Sequence, residues 1–346
     1  MDKPAFAGTL SQLKAKDAPA AFLLPLHFSF APSRILTTAV QLHLFSHLNA
    51  GHDTVPKLAQ ASGASPRGLR MLLDALVAME VLEKQGDRYR LTPFAARYLV
   101  RESPDYVGHM LERDTLWQLW TALPEAVKTG RPVVDVTRQQ HAEEFFPYLV
   151  QSLHIVHREP ARRLAEALGA GRSRRGLRVL DVACGSAVWS LAIAGADREA
   201  RVTALDFPQV LEVTRTFVEA CGVADRYEYL PGNLRELDFG HERYDVILLG
   251  NIVHGEGERV ARELFRKAHR ALAPAGRLVI IDMVPNDERT GPPFPLFFAL
   301  NMLLHTAEGD TFTLAEYRRW LEEAGFHSVE PVEIGTHSPA IVAVRS

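Results

Sequence analysis

The chain has 346 residues, 47% hydrophobic and 23% charged, a folded globular composition long enough for roughly two domains of ~100–200 residues. Its 39 Lys and Arg against 42 Asp and Glu leave a net charge of -3, so bulk electrostatics do not draw it to nucleic acid or an anionic membrane. Cys184 and Cys221 are the only cysteines, too few for a disulfide framework or a thiolate zinc cage, and they fit a reducing compartment. No run approaches the ~18 apolar residues of a membrane span. Met1-Asp2-Lys3-Pro4 lacks the basic-then-apolar order of a signal peptide. The expectation is a cytoplasmic protein with neither nucleic acid nor membrane as partner.

Residues 1–170 read as mostly helical. Leu36, Val40, Leu44 and Leu48 share one helical face. A short helix at 55–62 and a turn at Gly63 precede a longer helix, with Ser65 as N-cap and Pro66 at its first position. Leu69, Leu72, Leu73, Leu76 and Met79 form its inner face. Residues 81–91 then read as a hairpin around Gly86-Asp87, and helix, turn, helix, hairpin is the order of a winged helix. The second helix carries only Arg67 and Arg70 as cations. Without a basic stripe, pairing or substrate covering suits this unit better than DNA binding.

Further helices are expected over 105–168, broken at Thr129-Gly130-Arg131-Pro132. The polar join 172–176 marks the expected boundary, with domains at 1–170 and 171–346. Beyond it short apolar strands at 177–182, 201–205, 227–230, 244–250 and 277–282 alternate with helices at 188–195, 210–221 and 259–272. Continuous apolar strands alternating with helices indicate a parallel sheet covered on both faces, an α/β fold.

Three turns on one edge of that sheet describe an adenosine pocket. In Asp181-Val182-Ala183-Cys184-Gly185-Ser186-Ala187 a buried strand ends in an acid and passes through tiny residues into a helix, which lets a ligand approach the backbone. Asp206, ending the next strand, is placed to accept both hydroxyls of a ribose, or to cap the helix after it. After the third strand, Gly232 admits a flat ring, Asn233 can hydrogen-bond an adenine edge and Leu234 can pack on its face. A pyrophosphate wants a three-glycine turn. This turn has one glycine and no cation, which favours an adenosine whose other end is an amino acid, oriented by Asp181.

These motifs and His254, in this order behind a winged helix, resemble the small-molecule O-methyltransferases, including the caffeic-acid, hydroxyindole and bacterial antibiotic-tailoring types. The resemblance covers nearly the whole chain. It implies a Rossmann-like sheet binding S-adenosylmethionine, released as S-adenosylhomocysteine, and a helical domain that forms a homodimer and lends residues to its twin. Ala183, Phe207 and Gly250 join the cofactor set above.

His254, just past the fourth strand, faces the cofactor crevice and matches the family's catalytic histidine, a general base for a hydroxyl acceptor. Asp282 matches the carboxylate that orients it. A second acid of the family falls on Thr311, so it is missing; Glu308 or Asp310 are possible substitutes. The acid-Trp-Ser that follows the histidine in many relatives is Gly255-Glu256-Gly257 here, and Asn233 replaces a commoner Asp. Trp117, Tyr148, His154, Asn251, Phe298 and Met302 are candidate walls for an aromatic or polyketide-like acceptor. No metal is expected, since the His and acid residues lack a ligand pair at i, i+4. A weakened base constellation leaves one alternative, the cofactor kept unreactive for hydroxylation, decarboxylation or pericyclic chemistry; a winged-helix regulator is the remote one.

Overall fold

The computed structural model describes residues 23–137 and 139–346, with the side chains at 139, 142, 144 and 148 also outside the description. Two compact units divide between Asp114 and Thr115.

The first unit carries α1 (Leu23–His27), α2 (Ala31–Gln41), α3 (Leu44–Asn49), α4 (Val55–Ser62), α5 (Pro66–Ala78), β1 (Leu82–Gln85), β2 (Arg88–Leu91) and α6 (Pro93–Tyr98). Ser65 caps α5 through a 3.1 Å bond from the Gly68 amide, with Pro66 at the first helical position. β1 and β2 pair antiparallel around Gly86, whose φ of 63° only a glycine adopts freely. The winged-helix order holds. The stripe expected on one helix is shared by two, because His43 turns left-handed (φ 51°) between α2 and α3. Val40, Leu44 and Leu48 still enter one core with Leu58, Leu69, Leu73 and Leu76. Arg70 is paired with Asp74, which also receives Lys84.

The second unit starts with α7 (Thr115–Thr121), α8 (Leu123–Thr129) and the long α9 (Gln139–Ala167). The rhythm of strands begins near residue 177, as the sequence indicates, but the compact division lies earlier. The reason is packing: Ala161, Leu164, Ala165 and Leu168 of α9 and its end lie in the core on one face of the sheet. The remaining elements are β3 (Arg178–Val182), α10 (Val188–Ala196), β4 (Arg201–Asp206), α11 (Pro208–Ala220), β5 (Tyr227–Pro231), β6 (Tyr244–Gly250), α12 (Val253–Ala271), β7 (Leu272–Ile281), α13 (Pro293–His305), α14 (Leu314–Glu323), β8 (Phe326–Val332) and β9 (Ala340–Arg345).

The seven strands run in the order β5-β4-β3-β6-β7-β9-β8. The first five are parallel, and β9 lies antiparallel between β7 and β8. Successive residues of a strand face opposite ways. Thus Val246 and Leu248 enter the core under α9, α10 and α11, while Ile247 and Leu249 enter the core under α12 and α14. Burial on both faces explains the unbroken apolar strands.

Register aligns the strand ends. Val182 stands beside both Leu205 and Leu249, Asp206 beside Pro231, and Gly250 beside Ile281. The turns at 183, 207, 232, 251 and 282 therefore share one edge, the carboxyl edge where ligands of open α/β sheets bind. At that edge the Trp189 indole of α10 fills the place of a side chain on Gly250: an added Cβ would lie 2.6 Å from Cδ1. Gly250→Ala is expected to cost about 1–3 kcal/mol by overpacking, read as a lower urea midpoint with an unchanged slope.

Candidate functional site

Asp282 directly follows β7 and is buried, with 4% exposure. Its carboxylate gathers four donors. Oδ2 accepts the His254 amide at 2.9 Å and the Tyr317 hydroxyl at 2.8 Å; Oδ1 accepts the Met283 amide at 2.8 Å and faces His254 Nδ1 in a short hydrogen bond. The structure thus brings His254 and Asp282 together as the sequence suggests. With Nδ1–H donating to the carboxylate, Nε2 carries the lone pair, the tautomer a general base requires. Phe298 of α13 meets the imidazole edge to face, with ring centres 4.9 Å apart.

Tyr317 was missed in the sequence. On α14 it is fully buried, and burial followed by the Asp282 charge pushes its phenol well above the usual range, so it stays a neutral donor. Its spacing to Trp320 and Leu321 marks an inward face, but an inward tyrosine reads as core until a partner is seen. Thr311, at the place of the missing acid, is fully buried, with no partner for its hydroxyl. Neither suggested substitute carboxylate reaches the histidine ring. Asp310 lies 3.8 Å from Arg289, Glu308 lies 4.0 Å from Arg259, and only the Asp310 amide meets the histidine, at its backbone carbonyl (2.9 Å).

The turn after β3 places Ala183, Gly185 and Ala187 at φ values of 53°, 55° and 56°, a left-handed series that only small residues enter at low cost. Asp181 lies beneath it. Its carboxylate takes the Ser190 hydroxyl at 2.5 Å, and burial pushes its pKa up to about 7. Asp206 accepts the Gly185 amide at 2.9 Å and the Phe207 amide at 2.8 Å, so it binds the cofactor turn to its own strand end rather than capping α11. Burial raises it to about 6.

After β5, Gly232 turns at φ 148°, with Leu237 where a Cβ would stand. Asn233 Oδ1 is used within the turn, accepting the Arg235 amide at 3.0 Å, which leaves Nδ2 as the group able to face a ligand. Leu234 is buried in the core on the α12 side of the sheet. An added Cβ at Gly250 would meet the Trp189 indole, as above, which gives a packing reason for the glycine beside its expected place in the cofactor set.

The acceptor candidates divide. Phe298 is on the histidine, Met302 lies one turn further along α13 and is buried, and Asn251 leaves β6 at φ 56° with its amide on the Ile281 carbonyl. Trp117 is largely exposed on α7; its neighbour Trp120 instead reaches Asn301 of α13, at 3.4 Å. His154, expected in the acceptor wall, lies on the cofactor turn: Nδ1 is 3.1 Å from Ser186 Oγ and the ring stacks on Phe217. Its face of α9, shared with Val150, looks toward Gly185. Burial takes the His154 pKa down to about 4, so it is neutral there. The side chain of Tyr148 lies outside the described residues.

Arg235 and Glu256 form a further pair that sequence reading did not find. Arg235 Nε donates to Glu256 Oε2 at 2.6 Å, and the glutamate is 5% exposed.

The donor set suits S-adenosylmethionine. Small residues line the turn at 183–187, which holds no cation to attract a diphosphate, and Asp206 and Asn233 Nδ2 offer an acceptor and a donor at adjoining strand ends.

Comparison with known proteins agrees. A family model described as the O-methyltransferase dimerisation domain matches residues 24–101, and one for the O-methyltransferase domain matches residues 167–327. The tetracenomycin polyketide synthesis 8-O-methyl transferase of Streptomyces glaucescens is 33% identical, over 90% of this chain and 93% of that one. The 3-hydroxy-5-methyl-1-naphthoate 3-O-methyltransferase of Streptomyces sahachiroi is 30% identical, over 88% of each. In fold, human N-acetylserotonin methyltransferase, solved with S-adenosylmethionine, superposes with a TM-score of 0.83 at 23% identity, over 95% of this chain and 98% of that one. With the sheet order and the strand-end turns, these matches show that the chain belongs to the O-methyltransferase family and is an S-adenosylmethionine-dependent enzyme.

Proposed function

We propose that the enzyme methylates a hydroxyl of a flat aromatic or polyketide-like small molecule, with His254 as general base. The observation that carries this reading is the array at the end of β6 and β7: a histidine held by Asp282, itself held by Tyr317, beside the ring of Phe298. Bound S-adenosylmethionine supplies an electrophilic methyl group. The protein's own tasks are to hold the acceptor hydroxyl and take its proton. A phenol of pKa ~10 is mostly neutral at pH 7, so Nε2 accepts its proton while the Asp282 carboxylate stabilises the imidazolium that forms. Tyr317 donates to Asp282 and orients it, a neutral partner where the family pattern has a second acid. Phe298, Met302 and Asn251 are the proposed acceptor walls, with Trp117 and Tyr148 as outer candidates. The two relatives named above carry polyketide and naphthoate in their names, which suits this apolar wall.

In the cofactor site, Asp206 is the proposed ribose acceptor, Gly232, Asn233 and Leu234 the adenine turn, and Ala183, Gly185 and Phe207 the backbone cradle. Asp181, bonded to Ser190, supports that cradle from below. The first unit is proposed to pair two copies of the chain through the exposed Leu23, Leu24, Leu26, Phe28 and Phe30. Both thiols are free, in keeping with a cytoplasmic enzyme.

His254→Ala is expected to lower turnover of a phenolic acceptor by ~10²–10⁴-fold, while S-adenosylhomocysteine still binds by calorimetry. Unchanged turnover would remove the base assignment. Tyr317→Phe, which deletes one donor to a charged group, is expected to lower turnover by roughly tenfold, about 1.4 kcal/mol. Light scattering of the purified protein should give twice the chain mass; a monomer would refute the pairing.

Asp206 generates a pH prediction. Its folded pKa is raised, so its contribution to stability of the ligand-free protein is present in acid and lost as pH rises through about 6. Ribose hydroxyls reward the ionised form. The rise in melting temperature caused by S-adenosylhomocysteine should therefore be larger at pH 7.5 than at 5.5, and Asp206→Asn should flatten that difference.

A further inference from the structure

The helix that bears His254 also grips the turn proposed for adenine. Lys267 of α12 donates from one ammonium to the carbonyls of Leu234 (3.0 Å), Arg235 (2.7 Å) and Leu237 (3.0 Å). One end of α12 thus anchors the 234–237 backbone, and the Arg235–Glu256 pair joins the same turn to the other end.

That other end is structurally separate from the rest of α12. Gly257 interrupts the helix at φ 75° and ψ 165°, with Glu308 Cβ and carbonyl oxygen each 2.7 Å from the position of an added Cβ. Residues 253–256 therefore form a short turn of their own, with Val253 in the core. His254 is held by Asp282 at its amide and ring, its carbonyl receives the Asp310 amide, and Glu256 is held by Arg235. Arg235 in turn shapes Asn233, whose side-chain carbonyl sits on its amide. Contacts run from Asn233 to Arg235 and from Arg235 to Glu256, and two residues of backbone join Glu256 to His254.

An ion pair of which only the glutamate is buried adds little net stability, because desolvation of the carboxylate and solvent screening of the exposed arginine offset its attraction. Its use is in fixing one arrangement. We infer that Arg235 and Glu256 are positioning residues that tie the adenine turn to the turn carrying His254, so that cofactor binding and the state of the base are set together. This rests on the function proposed above, in which His254 is the base and residues 232–234 hold adenine.

The other groups that face His254 come from different elements. Asp282 faces the ring from just past β7, with Tyr317 of α14 behind it, and Asp310 touches it only through its backbone. Glu256 shares the histidine's own turn, and burial, opposed by the Arg235 guanidinium beside it, raises its carboxyl above the usual carboxylate range.

The test uses the full chain with three variants: Glu256→Gln, which keeps shape and removes charge; Arg235→Met; and Arg235→Lys, which keeps the cation. Two readouts do not depend on turnover: the dissociation constant of S-adenosylhomocysteine by calorimetry, and the His254 ring resonances by nuclear magnetic resonance in the ligand-free enzyme. Glu256→Gln and Arg235→Met are expected to weaken S-adenosylhomocysteine by ~5–30-fold each, and the double variant by no more than either alone, since both remove one shared link. Arg235→Lys should recover most of the affinity. In Glu256→Gln the His254 ring resonances should move, because the turn that carries the ring loses its tie to Arg235. Affinities within twofold of the unaltered chain, or a lower melting temperature with both readouts unchanged, would overturn the inference. The His254→Ala variant separates the two failures: turnover retained there refutes the base, whereas turnover lost there beside indifferent Arg235 and Glu256 variants refutes only the link.

Discussion

One carboxylate organises the reactive end of this protein. Asp282 stands at the carboxyl end of a central strand, where the sheet is dry on both faces, and such a charge persists only if it is fully satisfied. Four donors satisfy it: two amides, an imidazole and a phenol. Each tie has a structural consequence. The His254 amide fixes where α12 begins, the ring contact selects the tautomer, the Met283 amide sets the chain leaving β7, and Tyr317 docks α14. The strand end, two helices and the base are positioned by meeting one another's hydrogen-bonding needs.

Asp206 plays a comparable part at the cofactor end. By accepting amides from Gly185 and Phe207 it ties the first glycine turn to the second strand, and it still has lone pairs for a ribose. Asn233 shows the same economy, with its oxygen spent on the turn and its amide left over. Both cases follow from the register of the parallel sheet, which brings sequence-distant strand ends within bonding distance. The cofactor turn is also closed from the far side by α9 through Val150 and His154. This explains why α9 belongs to the sheet unit although its sequence is continuous in character with the helices before it.

Departures from the family pattern are absorbed locally. Thr311, where the resemblance expects a second acid, has an unpartnered hydroxyl, and Tyr317, six residues on and one helix turn inside α14, donates to Asp282. The Gly255-Glu256-Gly257 segment, which looks like a loss of motif, instead makes a kinked turn whose buried glutamate pairs with Arg235. Both solutions use residues whose types are ordinary in isolation, a core tyrosine and a surface arginine. No spacing rule points to them, because their partners lie 35 and 21 residues away.

The sequence by itself determined the architecture and most strand ends. Apolar runs, helix caps and small-residue turns depend on local chemistry and on period, so the winged helix and the parallel sheet were legible, while Asp282 was named through the family resemblance and His254 through that resemblance and its place at a strand end. Tertiary structure alone decided what each end touches. It assigned His154 to the cofactor turn through the phase of α9, set the Trp189 indole against Gly250, moved the compact boundary to Asp114, and found Tyr317 and the Arg235–Glu256 pair. The physical reason is that a hydrogen bond or a buried ion pair depends on distance in space, whereas a sequence records only distance along the chain.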